Sequence, residues 1–155
     1  MIGCIRLVYV SQFYRNDDTF KLDLMDILTT SINYNTQEDI TGVLCYGNGY
    51  FIQCLEGKKS TVNDLYFNKI LKDKRHVSCQ LIYFEESKVR LFDQWAMKFA
   101  PLNANIRTFF LEHYNRSLAK VNLRASNSPF QQLNSFLDQI VSVCFYSVLL
   151  ISENV

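Results

Sequence analysis

The sequence has no CxxC pair and no Cys/His spacing suited to a metal, which excludes a zinc site. Its five cysteines are an odd count, and Cys4, Cys45, Cys54 and Cys79 stand in apolar, strand-like segments. That is the pattern of reduced, buried thiols in a cytosolic protein, not of a disulfide framework. A glycine-rich phosphate loop and the G-x-S-x-G nucleophile pattern are also missing. The two histidines, His76 and His113, lie far apart with no serine or cysteine in a nucleophile context, so each reads as partly exposed rather than as a catalytic base. A formal net charge of +1 offers no electrostatic reason to expect nucleic acid or an anionic membrane as partner. The opening MIGCIRLVYV meets an arginine at position 6 and lacks a signal-peptide profile. The most apolar tract, 140–151, is too short to span a bilayer alone. There is no repeat, no low-complexity tract and no second catalytic domain.

What remains is a globular composition, 48% hydrophobic and 20% charged. The length suits one domain, or one domain with an appended helical piece, enough to bury about two-thirds of the unfolded surface. Residues 2–12 read as a strand with apolar side chains on both faces, hence a central strand covered on each side. Asn16 to Thr19 supply a turn and a capping residue. Phe20, Leu24, Ile27, Leu28 and Ile32 then recur at the period of a helix packed on a sheet, ending near Tyr34 or Asn35. Ser60 is expected to cap a second helix with Val62, Leu65, Tyr66, Ile70 and Leu71 inside. A strand over 77–84, a loop over 85–91 and a short strand over 95–99 follow. The order β-α-β-β-α-β plus a small strand predicts an α+β, ferredoxin-like sheet with both helices on one face. Helical spacing at Ile106, Phe109, Phe110 and Tyr114, and again after Ser128-Pro129, predicts C-terminal helices over the other face.

Between 41 and 57, two apolar runs flank Gly47-Asn48-Gly49, a strong hairpin signal. The second run contains Gln53, whose amide has donors and acceptors to satisfy wherever it is buried. A strand glutamine ordinarily faces solvent, and the residues alone leave that alternative open. Their own pattern stops at an α/β domain carrying polar residues at Tyr9, Asn35 and Gln53 within apolar surroundings.

With RLVYVSQ at 6–12, ITGVLCYGNGYFIQCLEG at 40–57, and DKRH followed later by WAMKF, the first hundred or so residues resemble the BLUF domain. The resemblance implies a blue-light receptor, not an enzyme, holding FAD non-covalently between the two helices of a ferredoxin-like fold. It implies that Tyr9 donates an electron and a proton, that the Gln53 amide rearranges, and that Asn35 bonds the isoalloxazine ring. Tyr34 stands where the family often has a second asparagine, so one ring contact departs from the pattern. Lys69 and Asp73 match an arginine and aspartate facing the flavin, and Arg75-His76 match a frequent pair whose histidine approaches the flavin edge. Trp95 and Met97 match the Trp-x-Met pair that relays the signal, although ordinary core packing also accounts for a tryptophan there. The expected organisation is a flavin-binding domain over 1–101 and a helical cap and output over 102–155. The resemblance further implies the short, bacterial, cytoplasmic type, with a regulatory protein partner or a homo-oligomer and no metal. An acylphosphatase-like hydrolase shares the element order, but Ser11 to Arg15 make a poor phosphate loop. A flavin-free interaction module is the other alternative, and the colour of the purified protein separates all three.

Overall fold

A computed structural model describes residues 3–14, 18–47, 49–93 and 96–101. Two units divide the chain, Met1–Phe99 and Ala100–Val155. The expected C-terminal helices and Trp95 lie outside the described residues.

The elements run β1 (Cys4–Phe13), α1 (Phe20–Gln37), β2 (Thr41–Gly47), β3 (Tyr50–Gly57), α2 (Lys59–Asn63), β4 (His76–Ser87) and β5 (Lys98–Pro101). The sheet order is β4-β1-β3-β2-β5, with β1 antiparallel to both β3 and β4, and β2 antiparallel to β3. This is the ferredoxin-like α+β arrangement that the order of elements predicts. Leu7, Tyr9, Leu44, Phe51 and Leu55 of one sheet face join Ile27 of α1 and Val62, Leu65, Tyr66 and Ile70 of the second helical stretch in a single core. Full burial of each such aliphatic side chain contributes roughly 1.5–3 kcal/mol. Val8, Val10, Val43, Cys45, Ile52 and Cys54, on the opposite face, are buried as well. Thus β1 is buried on both faces, as its apolar residues on each face predict.

The hairpin closes where Gly47 pairs with Tyr50, and Gly49 takes a φ of +81°. Phe13 donates its amide to the Gly49 carbonyl at 2.8 Å, tying the turn to the end of β1.

Several boundaries differ from expectation for local reasons. Helix α1 runs on to Gln37, and its inward stripe continues through Ser31 and Asn35 while Ile32 is exposed. Polar residues there face inward because a polar site lies beneath that end of the helix. Thr19 holds the cap position, but its hydroxyl donates to the Asp23 carboxylate at 2.7 Å and caps no backbone amide. The second helix begins one residue before Ser60, with the Lys58 carbonyl accepting the first bonds. It continues as a π turn (Asp64–Lys69) and a 3-10 turn (Ile70–Lys72). A π turn spends one extra residue per loop. The phase therefore slips, and Leu71, expected inside, is exposed while Ile70 stays in the core. Strand β4 extends from His76 to Ser87, taking in the Glu85-Glu86 pair expected in a loop, and β5 begins only at Lys98. Among the described residues, no helix is long and apolar enough to cross a membrane.

Candidate functional site

Tyr9 and Gln53 face each other directly across β1 and β3. An opposed antiparallel pair shares one sheet face, so the register alone brings phenol and amide together. A β-bulge in the β1–β4 pairing falls between Val8 and Tyr9, a feature that re-aims side chains next to functional sites. The Tyr9 hydroxyl donates to Gln53 Oε1, and Gln53 Nε2 donates to the Met97 sulfur at 3.5 Å. All three side chains are buried, Gln53 being only 4% exposed. The solvent-facing alternative for Gln53 is therefore overturned. Burial raises the Tyr9 pKa well above its ordinary value, and the fields of Cys79, Tyr66 and Asp73 add to it. The phenol keeps its proton at neutral pH and offers it to the amide.

Asn35, fully buried near the end of α1, donates Nδ2 to the Ala96 carbonyl at 2.7 Å. Its Oδ1 is buried with no partner in the structure. An orphaned acceptor costs roughly 1–3 kcal/mol, and the imide N–H of a flavin ring is a donor of the kind it lacks. Asn35 and Gln53 hold adjacent residues, Ala96 and Met97, so two buried carboxamides grip one short segment.

A cleft of about 170 Å³ opens between α1 and the second helical stretch. Its walls include Ile27, Ser31 and Tyr34 on one side, Leu65, Lys69 and Ile70 on the other, with Gln53, Asp73, Arg75 and His76 completing it. Of the expected site residues it brings together Gln53, Lys69, Asp73 and His76. Tyr9 reaches the group through Gln53, whereas Asn35 is not among the cleft walls and bonds the Ala96 carbonyl beside Met97. Lys69 Nζ sits 4.8 Å from the centre of the Tyr34 ring, a cation–π contact. The residue that departs from the asparagine pattern thus serves as the platform for the cleft's lysine. Apolar walls, one aromatic face, a carboxamide and a cation suit a planar heteroaromatic group with an anionic tail.

Asp73 is held by Arg75, whose Nε and terminal nitrogen reach its two carboxylate oxygens at 3.0 and 2.7 Å. Burial pushes the Asp73 pKa up, but these bonds outweigh it and the net shift is downward. Arg75 also reaches Asp26 of α1 at 2.7 Å, tying that helix to the segment just ahead of β4. Asp73 is consequently committed to Arg75, not free beside Lys69.

His76 is not the partly exposed residue expected, because it opens β4 against Phe51 and Tyr9 and is only 9% exposed. Its Nδ1 lies 2.9 Å from the hydroxyl of Ser11, a residue that sequence reasoning weighed only as the start of a phosphate loop. Burial lowers its pKa from 6.5 to about 4; Asp73 opposes the shift and Arg75 adds to it. Between those two values the unfolded chain binds more protons than the native one, so stability falls as pH falls. From 6.5 down to about pH 5 the expected loss is about 2 kcal/mol, at 1.36 kcal/mol per unit. Asp73 contributes its share only below its ordinary 3.8, outside this window. Urea unfolding near pH 7 and near pH 5 checks this. A His76→Asn protein should lack this part of the slope, and an equal slope in both proteins would refute the assignment.

Sequence reasoning also missed Arg6 and Glu56, a buried ion pair joined at 2.7 Å. The available signal was two opposite charges inside otherwise apolar strand motifs. Cys4, Cys45, Cys54 and Cys79 are free thiols. Among the described residues, no cluster of His, Cys, Asp or Glu could hold a metal ion.

A cleft between two helical stretches is thus lined by an amide that is hydrogen-bonded to a buried tyrosine. The chain belongs to the BLUF family, sensors of blue-light using FAD, which matches residues 4–98. It is 36% identical over 92 residues to the photoactivated adenylate cyclase subunit beta of Euglena gracilis, covering 59% of this chain and 10% of that one. The blue light- and temperature-regulated antirepressor BluF of Escherichia coli (strain K12) is 25% identical over 132 residues, covering 84% of this chain and 32% of that one. The solved structure of BlsA in its photo-activated state aligns with a TM-score of 0.71 at 35% identity, over 89% of this chain and 94% of that one. The present chain spans about a tenth of the length of the Euglena cyclase subunits it matches.

Proposed function

We propose that this chain is a blue-light receptor that holds FAD non-covalently in the cleft between α1 and the second helical stretch, and signals by reversing the hydrogen bonds of Gln53. The observation that carries this reading is the amide bonded on both sides, accepting from Tyr9 and donating to Met97. Bound FAD supplies the blue-light absorption and, once excited, the electron acceptor. Tyr9 is the donor: it loses an electron to the excited cofactor and passes its phenolic proton along the existing bond to Gln53. Once the amide has rearranged, both an electron and a proton return to Tyr9, so that no group ends oxidised or reduced. An amide has a donor end and an acceptor end, so turning it over, or shifting it to the imidic tautomer, exchanges the bonds it can make. Neither change leaves a net charge in the core, which would be costly. After rotation the carbonyl oxygen faces the Met97 sulfur, which has no hydrogen to give. Met97 then loses its donor, and the segment held by Asn35 and Gln53 is freed on one side.

Lys69 at the cleft wall suits an anionic part of the cofactor, and His76, neutral at pH 7, suits an uncharged edge. Trp95 takes part in the relay in this reading, next to Ala96. Residues 1–101 form the sensor and 102–155 the cap and output, which carries the state to a regulatory protein or a second copy. The chain itself catalyses no turnover. Purification, with FAD added if the protein is colourless, tests the reading. The flavoprotein should show a small red shift of its absorption under blue light, reversed in darkness. Failure to take up FAD would overturn it.

A further inference from the structure

On the strand that carries Gln53, three residues further along and on the opposite face, Glu56 is fully buried. Its two oxygens collect three donors from two places. Arg6 Nε reaches Oε1 at 2.7 Å, the Leu91 amide bonds at 2.9 Å and the Phe92 amide at 3.0 Å. Arg6 in turn donates to the Val89 carbonyl at 3.1 Å. A buried ion pair is poor evidence of stabilisation, because an apolar pair fills the same space with no desolvation cost. What an apolar pair cannot do is hold backbone groups. Arg6 and Glu56 together fix three of the four residues from 89 to 92, just ahead of Ala96 and Met97.

We propose that Glu56 is a positioning residue of the switch: by anchoring the amides of Leu91 and Phe92 to β3, it sets where Ala96 and Met97 meet Asn35 and Gln53. The chain from Phe92 to Ala96 is four steps long and reaches at most about 14 Å. An anchor at Phe92 therefore bounds where Ala96 can sit, and a loose one lets the segment follow the amide in either orientation. The proposal rests on the blue-light reading only for its kinetic part. The restraint on Asn35 and Gln53 exists with or without flavin.

The test compares Glu56→Gln and Glu56→Asp with the wild type. Glutamine turns one acceptor oxygen into a donor facing N–H groups, and aspartate keeps the charge but withdraws it by one methylene. In Glu56→Gln, the amides of Leu91 and Phe92 should exchange with solvent about tenfold faster, the effect of one lost hydrogen bond. The side-chain amide NMR resonances of Asn35 and Gln53 should shift in the flavin-free protein. Dark recovery of the lit state should quicken about tenfold, because the amide turns back against a yielding Met97. Glu56→Asp should fall between. Released Leu91 and Phe92 amides with unmoved Asn35 and Gln53 resonances would overturn the proposal. So would loss of fold in both variants, which would make Glu56 purely structural. A wild type without light response would defeat the blue-light reading instead, and the resonances would still decide the positioning role.

Discussion

Replacing Tyr9 by phenylalanine is expected to leave FAD uptake nearly unchanged and to abolish the light-induced red shift. Phenylalanine keeps the ring, and with it the packing against Tyr66, whose ring centre lies 5.2 Å away. What it removes is one hydroxyl, the donor to Gln53 Oε1. In darkness the loss leaves a buried carbonyl oxygen unpaired, at roughly 1–3 kcal/mol. A single domain of this size tolerates that loss, so the variant should fold. Under light the loss is total, because the ring no longer has a phenolic proton to hand to the amide. Gln53→Ala should give the same blindness from the other side, binding flavin but having no amide to turn. Absorption spectra before and after blue illumination decide the matter. A Tyr9→Phe protein that red-shifts with wild-type yield would show that the tyrosine–amide bond is not the switch.

The fold was legible because each apolar run has one period and each turn has its own chemistry. Strand β1 reads as doubly buried from apolar residues on both of its faces, and it is. The site was less legible, for reasons that differ by residue. Gln53 alone follows the habits of an exposed strand glutamine. It is buried because β3 lies between β1 and β2 and because Tyr9 stands opposite, 44 residues away. That opposition is a matter of register, which no local pattern contains. Asn35 looks like a helix end, yet α1 continues past it and aims it inward, since Ser31 and Asn35 extend the buried stripe with polar groups. Leu71 failed because a π turn shifts the helical phase, and nothing in the composition of Asp64–Lys69 marks that turn. Arg6 and Glu56 were each visible as a charge inside a strand motif. Only the pairing of Arg6 with Glu56 across β1 and β3 turns two liabilities into one anchor. The family motifs supplied what the residues alone could not, a reason for buried polar groups to gather beneath two helices.

Two glycines of the hairpin should respond very differently to alanine, and the larger effect belongs to the less conspicuous one. Gly49 has a φ of +81° and nothing within 4 Å of where a Cβ would stand. Alanine there pays only for the left-handed backbone, about 1–2 kcal/mol, and asparagine should cost less. Gly42 has no unusual backbone angle, but its Cβ would stand 2.0 Å from the Cys54 carbonyl oxygen and 3.1 Å from the carbonyl carbon. Neither atom is the end of a flexible side chain. Relief needs β2 and β3 to part locally by about 1 Å, in a pairing where Gly42 faces Leu55 and Leu44 faces Gln53. Overpacking of this kind costs about 3 kcal/mol, and the displaced carbonyl belongs to Cys54, the residue after Gln53. Gly42→Ala should therefore lose both stability and the placement of the Gln53 amide. Urea unfolding of the two variants should rank Gly42→Ala well below Gly49→Ala, and only the former should bind flavin poorly. Equal unfolding midpoints for the two would refute the close approach of β2 and β3 at Cys54, and normal flavin binding by Gly42→Ala would refute its tie to Gln53.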